Sequence, residues 1–318
     1  MPRVVENWEV RMLKLDKIDK QLLEEIADMH SVPQGSFNIR KNGEALARAT
    51  TDEIQIVPKV DKSGIDIFVK DDVKNKSVHI PVIITVGGLN DLVYNDFYIG
   101  KNADVLIVAG CGIHNSSAQA SEHDGIHSFH LEEGARVKYV EKHLGVGSGG
   151  DKILNPTTLI ELKNGSQLEM ETIQLGGVSF SKRKTKAVLA DNAKLLITEK
   201  ILTTENQTAT TQFDVVLKGK NSSVEVVSRS VAKDASKQKF VSNIVGKTEC
   251  FGHVECDGIV LDKAVVTSIP KISAQSGEAT LVHEASIGKI AGEQIIKLQT
   301  LGLTEEEAQA EIIKGFLK

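Results

Sequence analysis

A short motif returns about every 30 residues in this 318-residue chain, and that return limits the folds open to it. Gly134-Ala135-Arg136-Val137-Lys138-Tyr139 is matched by Gly165-Ser166-Gln167-Leu168-Glu169-Met170. Asn192-Ala193-Lys194-Leu195-Leu196-Ile197 and Asn221-Ser222-Ser223-Val224-Glu225-Val226 continue the series. Each copy is a turn residue, a small residue, a polar residue, then apolar–x–apolar. A further strand-like run falls between successive copies, over Thr157–Leu162, Lys186–Leu189 and Phe213–Leu217, so the unit is about 15 residues per strand. A β unit of this size cannot bury its apolar face alone and must stack on the next one. An antiparallel β-sandwich also shows regularly spaced short strands, but it does not require the copies to resemble one another. The repeat therefore favours a mainly β solenoid.

Helical periodicity flanks the repeats. Leu15, Ile18, Leu22, Leu23, Ile26 and Met29 recur at helix spacing, and Pro33 with Gly35 closes the segment. Beyond the repeats, Ile290, Ile295, Leu298 and Leu301 share one face, and Gly302 suits a helix C-terminus. Thr304 with Glu307 then forms a capping box, followed by Ala308, Ile312 and Phe316 as an apolar side. The expected organisation is a helical segment over 1–36, a β core over 37–285 and a helical hairpin over 286–318.

Composition narrows the function. The net charge is −5 and aromatic residues make up 4% of the chain, which argues against a nucleic-acid face. No apolar run approaches the length of a membrane span, and the N-terminal residues lack a signal-peptide core. Three cysteines, Cys111, Cys250 and Cys256, are no disulfide framework. A soluble, cytoplasmic protein with free thiols is expected.

Several motifs invite chemistry. Gly145-Val146-Gly147-Ser148-Gly149-Gly150 fits the letters of a dinucleotide loop, but Asn155-Pro156 and a strand-like run follow where a helix should open. A flexible loop is the expectation. His114, His123, His127, His130 and His143 cluster within 30 residues, which raises a zinc-dependent hydrolase as an alternative. His127 and His130, three apart on a strand, should face opposite sides. Cys111 follows an apolar strand in Ala109-Gly110-Cys111-Gly112 and reads as a buried thiol. Cys256 and the pair His283-Glu284 lie 27 residues apart, close to the repeat length, so stacked coils could bring them together. A thiolate, an imidazole and a carboxylate would suit iron or sulfur handling. A carbohydrate-binding or lyase solenoid is a second alternative, weakened by the shortage of aromatic rings for stacking on sugars.

The C-terminal stretch sharpens this reading. Leu281-Val282-His283-Glu284-Ala285-Ser286-Ile287-Gly288-Lys289-Ile290, then Glu293-Gln294, Leu301-Gly302-Leu303-Thr304-Glu305-Glu306-Glu307-Ala308 and Gly315-Phe316 resemble the signature of the SufB/SufD family. The likeness extends from about Gly110 to Phe316. It implies a right-handed parallel β-helix with flanking helices. It also implies a non-catalytic scaffold on which a transient iron–sulfur cluster is assembled. The implied partners are a SufC-type ABC ATPase docking on the C-terminal helices and a cysteine desulfurase system supplying sulfur. By the same resemblance, Cys256, His283 and Glu284 match the family's cluster-binding residues, and Cys111 matches a cysteine proposed to receive sulfur. SufB commonly has Glu where Val282 stands. One chain carrying both the SufB-like cysteine and the SufD-like histidine implies a homodimer, or a SufB/SufD-like heterodimer, with Cys256 of one subunit facing His283 of the other.

Overall fold

The computed structural model describes residues 15–31 and 33–318. A helix, α1 (Lys17–Ala27), leads into twenty strands that run from β1 (Ser36–Lys41) to β20 (Ala279–Gly288). Two helices, α2 (Gly292–Gln299) and α3 (Glu305–Phe316), follow. The strands wind as a β-solenoid of about 8 turns. Successive strands alternate between two ten-stranded sheets, so neighbours in each sheet are mostly every second strand of the sequence. Sheet A runs β2 (Glu44–Ala49), β1, β5 (Lys74–Ile84), β7 (Asp104–His114), β9 (Arg136–Val146), β12 (Gln167–Leu175), β14 (Lys194–Thr203), β16 (Ser222–Ala232), β18 (Cys250–Val260), β20, and sheet B runs from β19 (Val265–Ala274) back through β4 (Gly64–Val69) to β3 (Ile54–Pro58). From β5 onward all neighbours are parallel. The β1–β2 and β3–β4 pairs at the N-terminal end are antiparallel.

The sequence repeat is the stacking register of sheet A. Val137 of β9 (Arg136–Val146), Leu168 of β12 (Gln167–Leu175), Leu195 of β14 (Lys194–Thr203) and Val224 of β16 (Ser222–Ala232) lie on successive rungs. The motif's first residue explains itself at the corners. Gly134, Gly165, Asn192 and Asn221 all have φ between +55° and +68°, a left-handed conformation that Gly and Asn adopt most cheaply. The strands are longer than the apolar–x–apolar runs suggested, typically 10 or 11 residues, because polar residues continue the alternation. Inward positions stack on their own kind along the axis. Phe97 and Phe129 stack at 4.4 Å between centroids, and Ile197 with Val226 continues the core.

Helix α1 covers the outer face of sheet A rather than an end of the coil. Its residues Leu22, Leu23 and Ile26 pack with Phe37, Ile39, Ile83 and Val108. Asp16 and Asp19 form a reciprocal capping box at its start, and the Asp19 carboxylate pairs with Lys41. The Gly145–Gly150 run ends β9 and turns a corner at 147–150 into β10 (Lys152–Leu154), not into a helix. A Cβ on Gly145 would sit 2.0 Å from the Gly177 carbonyl oxygen of the next coil, so close backbone approach accounts for that glycine.

Candidate functional site

Inward-facing polar residues form a continuous row inside the solenoid. On sheet A, Glu141, Thr172, Glu199, Ser228 and Cys256 occupy successive rungs of one column. The next column begins with Cys111 of β7 (Asp104–His114), in register with His143 of β9. Sheet B adds His123 and His127 from β8 (Ser121–Leu131) and Arg183 from β13 (Phe180–Leu189).

A buried charged network holds the N-terminal end of this row. Arg40 donates to the Asp91 carboxylate at 3.0 Å, and the other Asp91 oxygen meets His123 Nδ1 at 3.1 Å. His127 Nδ1 shares a 2.8 Å hydrogen bond with the Tyr139 hydroxyl. Arg183 donates to Glu141 and approaches His143 Nδ1 at 3.3 Å. Burial alone would raise the Glu141 carboxyl, but the Arg183 and His143 charges hold it well below the carboxylate range. Burial pushes the His127 imidazole down to about 4, and Arg183, His123 and His143 push the same way against Glu141. Burial likewise lowers His143.

The histidine cluster thus separates. His123, His127 and His143 point inward, each with a protein partner, whereas His130 stacks outward on Tyr98 with centroids 5.0 Å apart. His114 is half-buried at the end of β7. Among the described residues, no three of these histidines and their acidic neighbours bring donor atoms within 4.8 Å of one another.

Cys111 points into the solenoid and is 2% exposed. Its flanking glycines face the opposite way, under α1. A Cβ on Gly110 would lie 2.7 Å from the Ile26 carbonyl oxygen, and one on Gly112 would lie 3.0 Å from Leu22 Cδ2. Burial raises the Cys111 thiol well above its ordinary value, and Asp91 and Glu141 add to that. Cys111 and Cys256 are five rungs apart, about 24 Å at the usual strand spacing.

The three residues Cys256, His283 and Glu284 do not form one cluster. Cys256, on β18 (Cys250–Val260), is 1% exposed and inward-facing. His283 shares that inner face on β20, in register with Val254, one inward position from Cys256. Rung spacing and strand rise place their Cα atoms about 8 Å apart. His283 Nε2 is buried without a hydrogen-bond partner. Burial lowers the imidazole, with the nearby His253 acting in the same direction. Burial pushes the Cys256 thiol up to about 11, opposed by the adjacent Ser268 hydroxyl. Glu284, adjacent to His283 on a strand, points to the outer face. There it pairs in register with Glu255 and lies 3.4 Å from His253 Nε2. Sequence reasoning missed His253 and Glu255, and also the inward charges Glu141, Arg183 and Glu199. Inward parity with Tyr139 and His143 was the signal for Glu141.

The last coil is open. Val215 and Ile244 are each 1% exposed, yet Ile272, next in the same inner column on β19 (Val265–Ala274), is 46% exposed. Among the described residues, the outer edges of β19 and β20 are unpaired. Ten-residue edge strands of this kind expose a row of backbone donors and acceptors.

The chain is thus a β-solenoid with a buried thiol and an unpartnered imidazole near its open end. Residues 95–316 match the profile described as SUF system FeS cluster assembly, SufBD core domain. The chain belongs to the SufBD family. It is similar to an iron-sulfur cluster assembly SufBD family protein of Methanothermobacter thermautotrophicus, 30% identical over 221 residues, covering 68% of this chain and 53% of that protein. A protein of the same description from Archaeoglobus fulgidus is 29% identical over 231 residues, covering 71% of this chain and 60% of its own length. One from Pyrococcus horikoshii is 28% identical over 265 residues, covering 79% and 77%. The chain therefore spans little more than half the length of the first of these relatives. No described helix is long and apolar enough to cross a membrane.

Proposed function

We propose that this chain is a scaffold on which an iron–sulfur cluster is assembled, with Cys256 and His283 as its inner-face ligands. The observation that carries this is the coincidence of those two side chains with the open last coil in a SufBD family member. Iron and sulfide are the cargo. Cys256 would bind as thiolate, and a metal ion would lower the thiol's pKa from the value that burial imposes. His283 would supply its unpartnered Nε2. A second copy, or a SufB/SufD-like partner, pairing on the edges of β19 and β20 would enclose the site and bring Cys256 of one subunit towards His283 of the other.

The C-terminal hairpin is the proposed dock for a SufC-type ABC ATPase. Helix α2 buries no residue of its own, and Ile296 and Leu301 are 61% and 75% exposed, an apolar surface fit for a partner. ATP turnover would belong to that partner. Sulfur would come from a cysteine desulfurase system, with Cys111 as its proposed first acceptor. Because the Cys111 thiol faces the interior of the solenoid among Val82, Ile113 and Leu154, this role requires the coil itself to open.

Anaerobic reconstitution with iron and sulfide tests the reading. The wild-type chain is expected to develop a visible chromophore that Cys256→Ala loses. Equal colour in both would take Cys256 out of the site.

A further inference from the structure

We propose that His253, Glu255 and Glu284 form a separate mononuclear site for a divalent first-row transition ion on the outer face of sheet A. One donor atom from each, a ring nitrogen and two carboxylate oxygens, lie within 4.8 Å of one another. No other group of three His, Cys, Asp or Glu among the described residues meets that condition.

The solenoid builds this triangle from register. His253 and Glu255 are two apart on β18, so both face outward while Cys256 faces in. Glu284 on β20 sits on the rung beside Glu255. Its carboxylate reaches across to His253, with Oε2 at 3.4 Å from Nε2. Two ligands bound at about 2.1 Å with tetrahedral separation also lie about 3.4 Å apart, so these two atoms already have the spacing of ligands on one ion. The Glu255–Glu284 pair is the second argument. Like charges directly opposite on neighbouring strands repel, and Asp257 adds to the negative charge around Glu255, with His253 and Arg229 opposing it. A bound dication would turn that repulsion into attraction.

The donor set selects the ion class. An imidazole with two carboxylates suits Fe2+, Mn2+ or Zn2+, whereas the absence of thiolate disfavours Cu+ and sulfide clusters. Glu284 is 65% exposed at its side chain and His253 is 21% exposed, so an ion can arrive from solvent. The site lies on the opposite face of β18 from Cys256 and stands whether or not the cluster reading holds.

The test is titration of the metal-free full-length chain with Co2+ under anaerobic conditions, read by absorption, and with Fe2+ by calorimetry. In the Cys256→Ala chain one ion is expected, with cobalt d–d bands and no sulfur-to-cobalt charge-transfer band. Glu255→Gln and His253→Gln should each weaken binding by at least about tenfold, with circular dichroism unchanged because neither side chain is in the core. Glu169→Gln, an equal charge loss elsewhere on sheet A, and Cys256→Ala should leave the titration in place. Binding that disappears in Cys256→Ala, or that in this background survives both Glu255→Gln and His253→Gln, overturns the proposal. So does a wild-type chain that takes up no ion.

Discussion

Cys111 shows how much a neighbour's missing side chain can matter. Gly110 and Gly112 let α1 lie on the outer face of β7, and the thiol between them is left inside with its proton. In the folded chain, Cys111 is expected to resist iodoacetamide at pH 8 and to react once denaturant unfolds the protein. Mass spectrometry of alkylated peptides would report it, and fast native labelling would show that the interior of the coil opens around Cys111. His127 carries a pH prediction. Its folded value near 4 lies below the unfolded value near 6.5. Between these the unfolded chain binds the extra proton, so stability is full above about pH 6.5 and declines as pH falls towards 4. His127 alone should remove about 2 kcal/mol between pH 7 and pH 5. His143 adds to the same slope, and Glu141, held low, adds loss at still lower pH. Urea unfolding at the two pH values, with His127→Gln as the flattened comparison, measures it.

Among elements, α1 and its seat on β5, β7 and β9 are the sharpest case. The apolar spacing from Leu15 to Met29 announced the helix, and the Lys17–Ala27 span agrees with it. What it covers was not visible, because Phe37, Ile83 and Val108 come from separate strands. Gly110→Ala is expected to destabilise by about 1–3 kcal/mol, since the new methyl would meet the backbone oxygens of Ile26 and Lys142 at 2.7 Å. Calorimetry should show the loss, and limited proteolysis should show α1 released before the coil. An unchanged melting temperature would mean that the helix sits less tightly than its packing indicates. The strands teach a complementary lesson. Adjacent residues on one strand point to opposite faces, so His283 and Glu284 could not serve one inner-face site, and that much was legible in alternation. The partnership of Glu284 with His253 was not, because it depends on the number of residues in β19 and in the two corners that separate β18 from β20.

At the scale of the molecule, the unfinished coil is the feature from which assembly follows. Its inner column runs from fully buried Val215 and Ile244 to half-exposed Ile272, as if the core were cut across. The chain is expected to dimerise in solution with a concentration-dependent mass by light scattering, and Ile272→Lys should yield a folded monomer. A wild-type chain that stays monomeric at working concentrations would defeat the shared-site arrangement of Cys256 and His283. The repeat motif, the left-handed corner residues and the three flanking helices were determined by the sequence itself, because each rests on local backbone geometry and on a period that survives in one dimension. Only the tertiary structure decided that Arg40 reaches Asp91, that Arg183 answers Glu141, and that Glu284 leaves Cys256 for His253. Those meetings depend on how many residues each corner spends before the next rung begins. A difference of one residue there shifts the rung and turns every side chain to the other face.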